Sequence, residues 1–460
     1  MKTSDPNLDH RQEWLEAICQ QRELPSLSAA VSIAGEVAWK GACGRADLEP
    51  ARPASPDMVY PLGSISKVFI VTMLMQLVEQ GIVRLEDPLV KYLPEYRMTS
   101  PFADTPPTTL RQLAAHTSGL PRDAAINFPM NQSLAAWEFS VGQAPLRWYA
   151  STEQVLASLP QVALELPPDN AKQYSNLGIM LLGVALERAC GQDFRSYMQE
   201  HIFAPLGLSS AGFVDEPGAW DARFPTGYGR APGGGAHFPA PRWQLGGAVY
   251  TGGIYATAAD LARFCSAFVP GETASPLLRP TSVQRMIHPA AMGDTHLGWW
   301  KGRHAGHDNF GHAGAHVGFI STALFIPELK LAVAVQANRW NPIVDTQDST
   351  VVARELLATL IPTAQARLPV FDPAAVDLAR YAGSYRLPGD VAGVEVTIQG
   401  QGLNFAVRGE ISETLALFPV GPHQFGPPGT NFPAVTFLAD AASGVTGLSY
   451  ALFTFHRDRS

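Results

Sequence analysis

The chain has 460 residues, of which 46 % are apolar and 16 % charged, and a net charge of −8; this is the composition of a soluble globular protein with a large core and two or three domains. No lysine or arginine tract offsets the negative charge, which excludes an extended nucleic-acid or anionic-membrane surface. No run reaches the ~18 apolar residues of a spanning helix, and the N-terminal stretch lacks a signal's apolar core, so the expected location is the cytoplasm.

Residues 8–23 read as an amphipathic helix with Trp14, Leu15, Ile18 and Cys19 on one face, ended by Pro25. Leu27–Ala34 and Val37–Ala42, split at Gly35-Glu36, read as a β-hairpin. Tyr60 to Gly81 then turns from a loop into a helix that is apolar nearly all round from Val68 to Val78, as expected of a core helix. Gly81 ends it. Ser64 and Lys67, at the start of this stretch, stand three apart and face the same way on the first turn. The chain has seven lysines, and only Lys67 follows a serine at that spacing. A serine hydroxyl is a poor nucleophile at neutral pH, and a buried amine within hydrogen-bond reach would accept its proton. Taken alone, the pair also fits a capping serine and a snorkelling lysine.

Thr109 caps a further helix that Gly119 and Pro121 stop, with His116 near its end to cap carbonyls or order a neighbouring loop. Residues 122–170 carry Phe128, Trp137, Phe139, Trp148 and Tyr149 without a sustained period; they suit a lid or substrate wall, or the core of a subdomain. Ser151 has capping-box spacing inside this excursion. Ser175 or Asn176 caps a helix running to Gly191, which leaves Tyr174 in the loop ahead of it, where a phenol beside an ammonium group has its phenolate favoured and relays protons. Thr257 and Asp260 start another helix behind glycines that suggest a close backbone approach. Gly311-His-Ala-Gly-Ala-His-Val-Gly-Phe precedes a strand pair, Ile320–Ile326 and Leu331–Ala337; there His312 offers a ring to a site.

Arg354–Leu360 reads as a helix and Pro362–Pro373 as a linker. From Tyr381 the texture becomes alternating, with strands at Val394–Ile398, Leu403–Val407, around Val435 and Phe437, and at Leu448–Phe455. Nothing in this small all-β domain has catalytic spacing. The four cysteines, Cys19, Cys43, Cys190 and Cys265, lie far apart and read as free thiols. There is no His-Glu-x-x-His metal signature and no Gly-x-Ser-x-Gly elbow.

Taken in order, Ser64-Ile-Ser-Lys67, Tyr174-Ser-Asn176 and His312-Ala-Gly314, with Leu62-Gly-Ser, His116-Thr-Ser-Gly-Leu-Pro and Gly252-Gly-Ile-Tyr-Ala-Thr around them, resemble the serine β-lactamase and penicillin-binding-protein superfamily. The likeness is nearest to class C β-lactamases, related esterases and D-stereospecific aminopeptidases. It implies an α+β fold: an antiparallel sheet flanked by helices, with an all-helical subdomain and aromatic lid over roughly 68–245, in a hydrolase domain of residues 1–365. Residues 371–460 are similar to lipocalin-like C-terminal modules, implying a small β-barrel-like domain. The resemblance implies an ester or amide hydrolase acting on a small molecule or peptide, without metal or cofactor. Ser64 would form the acyl-enzyme, either Lys67 or Tyr174 would be the base, and His312 would be the fourth catalytic residue. Asn176 would orient Lys67 and bind a substrate amide, Gly314 would line the substrate, and the N–H groups of Ser64 and Ala315 would form an oxyanion hole. Penicillin-recognising members have lysine in place of His312; a largely neutral histidine there shifts the expectation from β-lactams to esters or peptides. The rivals are acyl transfer, as in peptide-cyclising thioesterases, and a catalytically silent receptor. The oligomeric state stays open.

Overall fold

The structure, a computed structural model, describes residues 10–96, 98–124, 126, 150–230, 236–242, 245–269, 275–287, 296–339, 348–361, 376–386, 393–408, 413–421, 424–426, 435–440, 444–450 and 453–458. The aromatic residues proposed as a lid and the 362–373 linker lie outside these. The described residues from 10 to 361 form one compact unit and those from 376 to 458 another.

The larger unit is built on a seven-stranded sheet. Its strands are β1 (Ser26–Ile33), β2 (Glu36–Asp47), β3 (Arg52–Pro53), β4 (Trp300–His304), β5 (His307–His316), β6 (Phe319–Ile326) and β7 (Leu331–Ala337). Their order is β3-β2-β1-β7-β6-β5-β4, antiparallel throughout. The expected hairpin at Gly35 forms, although β2 runs on to Asp47. The chain therefore leaves the sheet after β3 and returns at β4, with most of the helices inserted between. Helix α1 (Arg11–Gln21) packs on β2, with Leu15, Ile18 and Cys19 buried. Cys43 on β2 meets Cys19 there, and all four cysteines are free thiols.

Helix α2 (Ser66–Glu79) is the centre of the core, with every residue from Ser66 to Leu77 buried. Phe69 stacks on Phe264 with ring centroids 3.7 Å apart. Gly81, at φ +73°, stops it as the glycine signal predicts. Helix α3 (Leu110–Ala115) starts in a full capping box between Thr109 and Gln112. It ends earlier than expected, because His116 itself takes the left-handed conformation at φ +60°. A second capping box, at Ser151, starts α4 (Thr152–Ser158). Ser175 rather than Asn176 caps α5 (Asn176–Cys190), its hydroxyl accepting the Gly178 N–H at 2.8 Å. Helix α6 (Ala258–Ser266) packs on β1 and β7, and α7 (Asp348–Leu360), longer than the expected Arg354–Leu360, on β6 and β7. No helix among the described residues is long and apolar enough to cross a membrane.

In the smaller unit eight strands pair antiparallel in sequence order: β8 (Gly383–Arg386), β9 (Gly393–Gln399), β10 (Gly402–Arg408), β11 (Glu413–Gly421), β12 (Gln424–Gly426), β13 (Val435–Asp440), β14 (Gly444–Tyr450) and β15 (Phe453–Arg457). β8 also pairs with β15, which joins the first strand to the last. Tyr385, Val394, Val396, Leu403 and Phe405 are buried together, as their alternation predicts. The single last strand expected over Leu448–Phe455 is instead the end of β14 and the start of β15, and β11 and β12 had no clear sequence signal.

Candidate active site

Ser64 lies in a 3₁₀ turn, Gly63–Ile65, that leads directly into α2 and packs on β5. Gly63 has φ +52°, and a Cβ there would sit 2.6 Å from the Ala315 nitrogen. A Cβ on Gly314 would overlap the Leu62 carbonyl and lie 2.7 Å from the Ser64 nitrogen. Only glycine at both positions lets the serine turn and β5 approach this closely. The Gly311–His316 stretch, expected as a glycine-rich edge ahead of a strand pair, is itself strand, Gly314 pairing with Ser321.

The lysine is 2 % exposed. Its Nζ is 2.9 Å from Ser64 Oγ and donates to the Thr251 carbonyl at 2.9 Å. That carbonyl belongs to the turn of helix Val249–Gly252, so the close approach signalled by the glycines near 252 is made here. Burial pulls the amine well below its ordinary pKa, Arg122 pulls it in the same direction, and Asp123 opposes them. Burial thus favours the neutral form of the amine that faces the serine.

Tyr174 brings its ring to 5.1 Å from Lys67 Nζ. Its hydroxyl is enclosed and makes no regular hydrogen bond among the described residues. Burial pushes this phenol up to about 12, outweighing the pull of nearby Ser64 and Arg122. The expectation of a favoured phenolate is therefore corrected: desolvation of the enclosed hydroxyl outweighs its neighbours and favours the neutral phenol. His116 orders the loop before α5, its Nδ1 accepting the Ser175 N–H at 3.1 Å, with ring centroids 4.5 Å from Tyr174.

His312 is buried and stacked on Trp300 at 4.3 Å between centroids, and its ring centroid lies 6.5 Å from that of Tyr174. Its Nδ1 donates to the Ala313 carbonyl at 2.6 Å, which makes Nε2 the acceptor end. Burial, helped by Lys67, lowers it to about 3, so the ring is neutral. Arg354 of α7 lines a small cavity of about 50 Å³ with His312, Trp300 and Thr350. Asn176 does not take the orientation expected of it. Its Nδ2 donates to Asp123 at 2.9 Å, and the polar contacts of Lys67 are instead Ser64 and the Thr251 carbonyl.

Sequence reasoning missed the Thr251 carbonyl, a backbone group that carries no side-chain signal. It also passed over Arg122-Asp123, two charges directly after the Gly119-Leu-Pro turn, where such residues stand out.

A family model described as beta-lactamase matches residues 11–358. The chain belongs to the beta-lactamase family. Esterase EstB of Burkholderia gladioli is 30 % identical over 200 residues, which are 42 % of this chain and 48 % of that protein. The D-alanyl-D-alanine-carboxypeptidase/endopeptidase AmpH of Escherichia coli strain K12 is 27 % identical over 235 residues, 51 % of this chain and 55 % of that one. Matches with several curated relatives of the family span about half of the relative's length. The crystal structure of SurE aligns over 98 % of this chain and 99 % of its own with a TM-score of 0.67, a likeness of fold at 22 % identity.

Proposed function

We propose that this beta-lactamase family member is a serine hydrolase that cleaves an ester or amide through a covalent acyl-enzyme on Ser64. The observation that carries the reading is the buried amine of Lys67, 2.9 Å from Ser64 Oγ and depressed in pKa by burial. In the proposed mechanism its lone pair takes the hydroxyl proton as Oγ attacks the substrate carbonyl. The Ser64 and Ala315 N–H groups meet the oxyanion, typically worth about 3–4 kcal/mol per donor. Collapse of the intermediate expels the alcohol or amine, which takes the proton back from Lys67 directly or through the Tyr174 hydroxyl. Water then repeats the sequence on the acyl-enzyme, releasing the acid and restoring Ser64. Lys67 is the base in this scheme, because an amine held below its ordinary pKa accepts a proton where a phenol raised to about 12 releases none.

A neutral His312 leaves an acceptor nitrogen rather than a cation beside the site, which favours esters and amides over substrates anchored by a carboxylate. EstB, named as an esterase, agrees with that range. We read residues 376–458 as the lipocalin-like module suggested by the sequence; the consecutive pairing of its eight strands supports this.

Intact-mass labelling with a fluorophosphonate, together with turnover of p-nitrophenyl esters, tests the proposal. One adduct on the wild type and none on Ser64→Ala, with ester turnover lost and the circular dichroism spectrum unchanged, is the expected result. An unlabelled wild type, or a Ser64→Ala variant that still turns over ester, sinks it.

A further inference from the structure

Two charges act on Lys67, and one of them lies near the Tyr174 ring, yet none of the motifs explains them. Arg122 Nε is 3.3 Å from Asp123 Oδ2, with the two side chains only 21 % and 12 % exposed. The other oxygen of Asp123 accepts from Asn176 Nδ2 at 2.9 Å. The Arg122 carbonyl accepts the N–H groups of Asn176 and Leu177 at 2.7 and 3.1 Å, tying the first turn of α5 to the same segment. The guanidinium carbon lies 5.4 Å from the centroid of the Tyr174 ring, the ring that Lys67 also approaches. A carboxylate accepts and never donates, so the amide end bound to Asp123 must be the NH₂. Oδ1 of Asn176 is then the end left to meet a substrate N–H.

We propose that Arg122 and Asp123 form a positioning pair for the acylation site: the carboxylate fixes which end of Asn176 meets the substrate, and the guanidinium balances that carboxylate's charge beside Lys67. The proposal rests on the reading of Ser64 as nucleophile and Lys67 as base. A carboxylate buried alone at this point would hold Lys67 as an ammonium, unable to take a proton; with its cation it orients Asn176 without doing so. The directions agree, since Arg122 disfavours the charged form of Lys67 and Asp123 favours it. The other groups around the amine are Ser64, the Thr251 carbonyl, the Tyr174 phenol, and His116 and His312, whose charged forms burial disfavours. Lys172 acts on both histidines from the loop before Tyr174.

The two charges should therefore act with opposite sign on the acid limb of the kcat/KM profile for a p-nitrophenyl ester. Arg122→Gln moves the limb to higher pH and Asp123→Asn to lower pH, each by on the order of half a unit or more. Asp123→Glu, which keeps the charge, leaves the limb where the wild type has it, and the R122Q/D123N double variant brings it back towards the wild type. Asp123→Asn also raises KM about five- to tenfold for an amide substrate, whose N–H meets Asn176, and leaves KM for the ester unchanged. Limbs that move together or stay still, or equal KM changes for ester and amide, overturn the pair; a merely structural role would lower the rate without opposed shifts. Fluorophosphonate labelling of each variant keeps the two readings apart. If the wild type is neither labelled nor active, the Ser64 assignment has failed. If it is both and the limbs do not part, only the positioning pair has failed.

Discussion

Two clusters of polar side chains, a half-exposed one at Arg111 and the buried one at Lys67, treat charge in opposite ways. On one side Arg111 reaches Asp169 through Nη2 and Nη1 at 2.9 and 3.2 Å and Glu86 through Nε at 2.9 Å. Gln112 and Thr117 add hydrogen bonds to the same Asp169 carboxylate at 2.8 Å each. Burial alone would raise the Asp169 carboxyl, but these donors outweigh it and hold it at about 2. In the cleft, Lys67 is buried against a hydroxyl and a carbonyl, and the same desolvation, with no carboxylate in contact, drives the amine towards neutrality. One cluster holds its charges because each has a counter-charge; in the other desolvation favours the uncharged amine, the form that the proposed mechanism uses as a base.

The contrast fails most visibly if the cleft does not act as a unit. Lys67→Ala and Tyr174→Phe should each lower ester turnover by about 10³-fold, and the double variant should lose little more than the worse single one. Multiplied losses in steady-state kinetics would mean that amine and phenol work independently. Next in size, Gly314→Ala should cost on the order of 10²-fold, because a Cβ there displaces the Ser64 N–H from the oxyanion position. An unimpaired variant would remove the oxyanion assignment.

On the Arg111 side, Asp169→Ala should lower stability by about 2 kcal/mol at neutral pH, read from urea unfolding, while Ser64 still labels. Because the folded carboxyl sits at about 2 against an ordinary 3.8, its stabilisation is complete above the ordinary value and is lost as pH falls towards 2. The gap between wild type and variant should close over that range; a gap that persists at pH 2 would assign the effect to packing. The smallest change is expected of His312→Gln. A ring already neutral at pH 7 loses no charge when replaced, so ester turnover should fall by less than about tenfold. A fall beyond 10²-fold would give His312 a proton-transfer role.

Local patterns carried much of this fold. The capping boxes at Thr109 and Ser151, the α2 apolar run and the period-two strands of the smaller unit lie where short-range rules put them, because each is satisfied within a few residues of chain. The errors fall where partners are distant. Helix α3 stops at His116 rather than near Gly119, and there the ring accepts an N–H 59 residues away. Ser175 takes the cap that Asn176 was equally suited to, and Asn176 turns to Asp123. Cys19 and Cys43 look unrelated along the chain, yet β2 packing on α1 sets one thiol beside the other.

By itself the sequence determined which groups are present and which share a helical turn: a hydroxyl and an amine three residues apart, and the glycines that a close approach of Gly63 to β5 requires. Tertiary structure alone decided their protonation. Whether Lys67 is a cation or a base, Tyr174 a phenolate or a phenol, and His312 a charge or a neutral acceptor depends on desolvation and on oppositely charged groups more than fifty residues away, and both are set only when the sheet and the inserted helices close around them.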